Sequence, residues 1–387
     1  MKVAIVHYWL VGMRGGEKVV ESLCRMYPDA DIFTHVYVPE AMSDEINRHR
    51  VVTSFIGKLP RSTKLYQKYL PLMPLALEQM DLRGYDLIIS SESGPAKGVI
   101  PPPGSMHVCY CHSPMRYIWN MFHDYRDRAG LLTRTAMPAL AHYIRNWDAV
   151  SANRVDHFIA NSETVAQRLH RYYRRASTVI HPPVDVEAFE VLPEDEIGDY
   201  SLMVGELVGY KRADLAVEAF NRTGRRLVVI GGGELLGQLR RIAKPNVEIL
   251  GPQPFSVLRH HYSRCRSLIF PGEEDFGIVP VEAMASGRPV VAFRRGGATE
   301  TVVDGLSGVF FDEQSVDAII AAEERARSIN WHPAEIAQYA RNFSASVFET
   351  QMGLHINQLI KPLAGTLAQA AARKSELRAA PDFALSH

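Results

Sequence analysis

Two carboxylates, Glu274 and Glu282, stand eight positions apart at the ends of the segment E-D-F-G-I-V-P-V-E. The apolar run ending at Phe270 reads as a buried strand, Pro271-Gly272 breaks it, and Gly277 opens a helical pattern that Gly287 closes. A strand that feeds a helix through such a loop aims the first helical N–H groups, around Gly277 and Ile278, at whatever lies above the strand end. Those groups suit a phosphate. Glu282 falls about one and a half turns into the helix, so both carboxylates can face one crevice without touching. One can hold a sugar ring and the other a ribose; acid-base work by the pair is the alternative, and the spacing leaves both open.

Other groups with chemistry to offer lie at other strand ends. Gly15-Gly16 fall where a first strand, Lys2 to His7, feeds a first helix, Glu17 to Met26. Glycine there lets a ligand approach the backbone, although the spacing is not G-x-G-x-x-G. His112 directly follows the strand Met106 to Cys111, at the crevice edge of a parallel sheet, and Arg116 just beyond it offers a cation to an acceptor phosphate. Lys211 and Arg212 open another helix, where two cations oppose the helix dipole unless an anion such as a diphosphate binds between them. Gly296-Gly297 mark a further turn that permits close phosphate approach. Cys109 and Cys111 share a strand face between His107 and His112, but no second cysteine pair completes a metal site, and buried free thiols are the expectation.

Strands and helices must alternate to place these groups, and 387 residues suffice for two domains of about 180 residues each. The 43 basic residues balance 43 acidic ones, so no global field draws the chain to nucleic acid. No run of about 18 apolar residues occurs, and MKVAIVHYWL enters a strand pattern without a charged leader and cleavage site, which predicts a cytoplasmic protein. Residues 55–80 interleave Lys58, Arg61, Lys64 and Lys68 with Tyr66, Tyr69, Leu70, Leu72 and Met73. Such a stretch either packs its aromatics into the first domain or lies on an anionic bilayer, each basic residue adding about 1 kcal/mol. A helix is expected over Ala136 to Asn153. The acidic run Glu194-Asp195-Glu196 after His181-Pro182-Pro183 reads as an interdomain linker, and a last long helical pattern runs from Val347 to about Leu377.

The segment E-D-F-G-I-V-P-V-E followed by A-M-A-S-G-R-P-V-V-A resembles the E-x7-E signature of retaining GT-B glycosyltransferases, family 4 in particular. The resemblance implies an α/β chain of two Rossmann-like parallel-sheet domains facing a central cleft. Residues 1–185 would form the N-terminal acceptor-binding domain, 186–198 the linker, and 199–345 the C-terminal nucleotide-sugar-binding domain. A helix over 346–378 would cross back to the first domain, and 379–387 would be a tail.

By the same resemblance Glu274 contacts the donor sugar and Glu282 the ribose, while Phe276, Gly277 and Ile278 hold the diphosphate through the backbone. His112 meets the donor sugar, Gly15 and Gly16 meet the donor phosphates and the acceptor, and Lys211, helped by Arg212, stabilises the leaving diphosphate. The family usually has an arginine directly after the strand glycine; Glu206 stands in that place here, so a simple two-cation clamp does not carry over. No metal and no other cofactor is expected.

HYWLVGMRGGEKVVE, VGELVGYKRADLAVEAF and RRGGATETV most resemble bacterial exopolysaccharide mannosyltransferases of the acetan and xanthan type. They imply transfer of mannose from GDP-mannose to a polyprenyl-diphosphate-linked oligosaccharide, with peripheral contact of 55–80 on the inner membrane face. UDP-glucose, UDP-galactose and dTDP-rhamnose are alternative donors; a nucleotide-sugar epimerase or a non-catalytic nucleotide-sugar-binding module is the alternative of another class.

Overall fold

The computed structural model describes residues 1–360. The last part of the expected crossover helix, 361–378, and the tail 379–387 lie outside the described residues.

Two all-parallel sheets form, as expected. The first contains β1 (Val3–His7), β2 (Asp31–Thr34), β3 (Val51–Thr53), β4 (Leu87–Glu92), β5 (Met106–Cys111), β6 (His157–Ala160) and β7 (Ser177–Val179) in the order 3-2-1-4-5-6-7. The second contains β8 (Ser201–Val204), β9 (Leu227–Ile230), β10 (Val247–Gly251), β11 (Ser267–Phe270), β12 (Val290–Phe293) and β13 (Gly308–Phe311) in the order 10-9-8-11-12-13. Runs such as VAIVH, LVVI and VVAF are buried along their whole length, because helices cover both faces of a parallel sheet. In each sheet the strand order reverses once, between β1 and β4 and between β8 and β11. A doubly wound sheet opens its ligand crevice at the carboxyl ends of the strands at such a reversal.

Local chemistry sets the helix starts. The helix Glu163–Tyr173 is capped by Ser162, whose Oγ accepts the Val165 N–H at 3.1 Å. The first helix runs Gly15–Met26, so the two glycines are its opening residues and not the loop before it. The helix expected from Ala136 begins at Leu131 and ends at Ser151, with Pro138 inside it. In 55–80 the prolines leave only short helical pieces; Tyr66 and Tyr69 pack against Ile56 and Met73, while Lys58, Arg61, Lys64 and Lys68 are exposed.

The chain passes between the domains twice, and the two passages lie side by side. Val184 donates its N–H to the Phe343 carbonyl at 2.9 Å and pairs as a bridge with Ser344. Val184 and Val186 already pack in the core of the second domain, so the expected linker is anchored at its start. Residues 345–360 form a helix. Phe348, Met352 and Ile356, four apart and therefore on one face, are buried with Val3, Ile5 and Tyr110 in the core of the first domain.

Beneath the first sheet's carboxyl edge lies a charge cluster that the sequence did not announce. Glu92, Lys97 and Asp148 are fully buried: Lys97 Nζ donates to Glu92 Oε1 at 3.0 Å and to Asp148 Oδ1. The other Glu92 oxygen accepts the N–H groups of Ala96 and Lys97 (2.8 and 2.7 Å), and Asp148 Oδ2 accepts from Trp119 Nε1 and the Tyr173 hydroxyl, both at 2.7 Å. The loop after β4 is thereby tied to the helix Leu131–Ser151.

Candidate active site in the interdomain cleft

The two strand-order reversals face each other across a cavity of about 530 Å³. From the first domain it is lined by Tyr8, Arg14, Gly15 and Gly16 after β1, Ser93 after β4, and His112, Ser113, Arg116 and Tyr117 after β5. The second domain supplies Tyr210 and Lys211 after β8, and Glu274 to Val279 with Glu282 after β11. Gly15, Gly16, His112, Lys211, Glu274, Phe276, Gly277, Ile278 and Glu282, all singled out from the sequence, therefore meet in one space.

Gly277 precedes the helix Ile278–Ala285 with φ of 92°, a left-handed conformation that a side chain would strain. Gly277 and the first helical residues, Ile278 and Val279, line the cavity. The Gly296-Gly297 pair has a different use from the expected phosphate approach. A Cβ on Gly296 would stand 2.3 Å from the Glu274 carbonyl oxygen, and one on Gly297 would stand 2.2 Å from Phe276 Cα. Gly297 also donates its N–H to the Glu274 carbonyl at 2.9 Å. The pair is a seat for the backbone of the Glu274–Phe276 loop.

Lys211 Nζ lies 2.8 Å from Glu274 Oε1, and both side chains are largely buried. Burial would push the ammonium pKa down, but the Glu274 carboxylate and its hydrogen bond raise it on balance, so Lys211 is a firm cation. Glu282 is half-buried on the cavity wall, where its Oε2 accepts the Tyr262 hydroxyl at 2.7 Å. Burial pushes this carboxyl up to about 7, against the pull of the Tyr262 hydrogen bond and the Lys211 charge.

His112 is held as a neutral ring. Burial, with His7 close by, lowers its pKa to about 3. Its Nε2 is engaged by Ser91 Oγ at 2.8 Å, which leaves Nδ1 for a ligand. Ser91 Oγ also contacts His7 Nδ1 at 3.1 Å, and His7 Nε2 lies 3.6 Å from Glu17 Oε1. These contacts fix the ring against the first turn of the helix Gly15–Met26. Gly15 and Gly16 let that turn approach: a Cβ on Gly15 would stand 2.6 Å from Ile278 Cδ1 across the cleft, and one on Gly16 would stand 2.7 Å from the Tyr8 hydroxyl.

Arg212 is the site residue that the structure places elsewhere. It adopts a left-handed conformation (φ 52°), and its guanidinium pairs with Asp214, Nη2 to Oδ2 at 3.1 Å, away from the residues lining the cavity. The expected clash of two cations with the helix dipole is relieved by an acidic residue in that helix's own first turn. Glu206 lines a neighbouring cavity with Glu234, Arg128 and Tyr125. Cys109 and Cys111 pack with Phe158 and Val165 in an apolar cluster, and His107 is spent on Ser90 and the Arg154 carbonyl.

Sequence reading missed Tyr262 and the contacts that join the domains. Asp275 Oδ1 receives Arg168 and, at 3.5 Å, Arg116. Glu300 of the second domain accepts the N–H groups of Glu163 (2.7 Å) and Thr164 (3.1 Å), capping a first-domain helix. Only the position of Asp275 inside E-D-F-G was a signal; the other partners come from distant segments.

Two Rossmann-like parallel-sheet domains with opposed ligand-binding edges and a returning helix define the GT-B fold. An Anabaena protein crystallised with UDP and glucose superposes with a TM-score of 0.65 over 92% of this chain and 99% of that chain, at 16% identity. Both halves match glycosyltransferase models: the model for Glycosyltransferase Family 4 matches residues 13–188, and that for Glycosyl transferases group 1 matches 184–343. Among curated relatives, alpha-1,3/1,6-mannosyltransferase alg2 of Schizosaccharomyces pombe is 25% identical over 373 residues, 80% of this chain and 70% of that one. D-inositol 3-phosphate glycosyltransferase of Thermobifida fusca is 33% identical over 204 residues, 44% of this chain. The match covers 46% of the Thermobifida protein, so the chain spans about half the length of such relatives.

Proposed function

We propose that the chain is a retaining glycosyltransferase that moves mannose from GDP-mannose to a polyprenyl-diphosphate-linked oligosaccharide in exopolysaccharide synthesis. The observation that carries the transferase reading is the single cleft in which Lys211, Glu274, Glu282, His112 and a helix N-terminus converge. Mannose is supported by the sequence resemblance and by the name of the Schizosaccharomyces relative. The exposed Lys58, Arg61, Lys64 and Lys68, beside the exposed Leu72 and Leu75, favour an acceptor displayed on an anionic membrane surface. No described helix is long and apolar enough to cross a membrane.

In this reading the nucleoside diphosphate lies between the Gly277–Ile278 amides and Lys211, which neutralise charge as the sugar–phosphate bond breaks. Glu274 holds hydroxyls of the donor sugar, and its pairing with Lys211 keeps both side chains oriented before the donor arrives. Neutral His112 accepts or donates a hydrogen bond to the sugar without placing a second positive charge beside the developing oxocarbenium ion. The leaving phosphate takes the acceptor's proton on the face from which it departs. Closure of the domains keeps water from intercepting the sugar.

Incubating the protein with a panel of GDP- and UDP-sugars and polyprenyl-linked glycans tests this reading. Mannosyl transfer from GDP-mannose alone is the expected result; transfer from a UDP-sugar would replace the donor assignment. Another donor or acceptor is the second reading, since the Thermobifida relative is named for inositol phosphate and not for a lipid-linked glycan. Nucleotide-sugar epimerisation without an acceptor would end the transferase assignment.

A pH effect follows from Glu282. The ionised carboxylate accepts from both ribose hydroxyls, and protonation removes accepting capacity, so nucleoside diphosphate affinity is expected to fall as pH drops through about 7. Tyr262→Phe deletes a hydrogen bond to the charged form and should move that midpoint upward; titrations giving an unmoved or lowered midpoint would remove Tyr262 from this role. The same shift makes the free protein's share of stability from Glu282 greatest below the ordinary glutamate range, and that share is lost as pH rises through about 7.

A further inference from the structure

The leaving diphosphate carries more than one negative charge, and the second domain sets only Lys211 against it among the cations lining the cavity. Arg212 is turned to Asp214, and the side chain directly after β8 is the carboxylate of Glu206. The cavity wall also holds Glu274, Asp275 and Glu282. One lysine, already paired with Glu274, leaves the diphosphate under-neutralised from the second domain's side, so further positive charge has to come from the first domain.

Arg116 stands on the opposite wall. Its guanidinium lies 4.8 Å from the centre of the Tyr210 ring, and Tyr210 is the residue before Lys211. Stacking of this kind fixes the plane of an arginine while leaving its edge free to donate. Its one ion-pair partner among the described residues, Asp275 Oδ1, lies 3.5 Å away and is held more closely by Arg168. Arg116 Nε is buried and has no hydrogen-bond partner among the described residues. A buried guanidinium nitrogen on the wall of a cavity, with no acceptor among the described residues, is placed to donate to an anion there.

We infer that Arg116 is the second cation of the diphosphate site, reaching across from the first domain to the β-phosphate that Lys211 holds from the second. This rests on the nucleotide-sugar reading and extends it: the charge-neutralising pair is split between the domains, so it is complete only when the cleft is closed. The loss of a positive side chain at position 206 is thereby offset, and an open enzyme cannot activate its donor toward water.

Calorimetric titration of the full chain with GDP, UDP and the corresponding monophosphates tests the assignment without any acceptor. Arg116→Ala is expected to weaken the diphosphate that the wild type binds by about tenfold or more, as loss of a charged hydrogen bond does, and to change its monophosphate by less than about twofold. Arg116→Lys should recover part of the loss because the charge remains. If Arg116→Ala does not fold, Arg116→Lys against Arg116→Gln gives the same comparison. Diphosphate affinity that is unchanged in Arg116→Ala, or an equal loss for mono- and diphosphate, overturns this inference alone. A wild type that binds neither diphosphate overturns the nucleotide-sugar reading beneath it.

Discussion

Lys211→Ala is expected to lower sugar transfer by about 10²–10³-fold with the fold intact, the size seen when one preorganised donor to a developing charge is removed. The lysine is kept charged in a largely buried cleft by Glu274 at 2.8 Å, and in the proposed reading it faces the phosphate on which charge grows. Its contribution is concentrated in the transition state, so kcat should fall more than donor affinity. The variant leaves Glu274 without its cation, but Glu274 lines the cavity with 20% of its side chain exposed, where water can reach it, so the melting temperature should change little. Transfer rates within threefold of wild type would show that the charge is met elsewhere.

The largest stability effect belongs to Lys97→Met. Lys97 is fully buried between Glu92 and Asp148, and it cancels part of their charge. Burial alone would push its pKa down; the two carboxylates reverse this and raise it, whereas burial pushes the Glu92 carboxyl up. Methionine fills the volume but leaves two acids facing each other without a counter-ion. Breaking a buried ion cluster in this way costs about 3–5 kcal/mol. Urea unfolding followed by tryptophan fluorescence reads the change directly, because Trp119 donates to Asp148. A loss below about 1 kcal/mol would mean that the acids are met by water or by protons, with Lys97 contributing little.

The alternation of apolar runs with helical patterns, and the glycine and proline punctuation between them, made both sheets legible: β5 begins and ends where the sequence places it, and β11 ends at Phe270 as expected. Their carboxyl ends gave the cleft, and E-D-F-G-I-V-P-V-E gave much of its second-domain wall. What failed to show was direction and distance. Lys211 and Arg212 are neighbours of like charge, yet a left-handed turn at Arg212 sends one into the cleft and the other onto Asp214. Gly296-Gly297 looked like a phosphate turn because glycine serves any close approach, and only the folded chain reveals that the approaching group is the Glu274–Phe276 backbone. Tyr262 lies twenty residues before Glu282, and Asp148 fifty-one after Lys97. No local period encodes pairs so far apart.

The adjoining passages at Val184 and Ser344 act like the spine of a book. Both crossings lie on one line, and because Val184 and Phe343 pack in the same second-domain core, the hydrogen bond that joins them is kept when the lobes part. The covers can gape while every page stays bound, since no ladder within either sheet has to part.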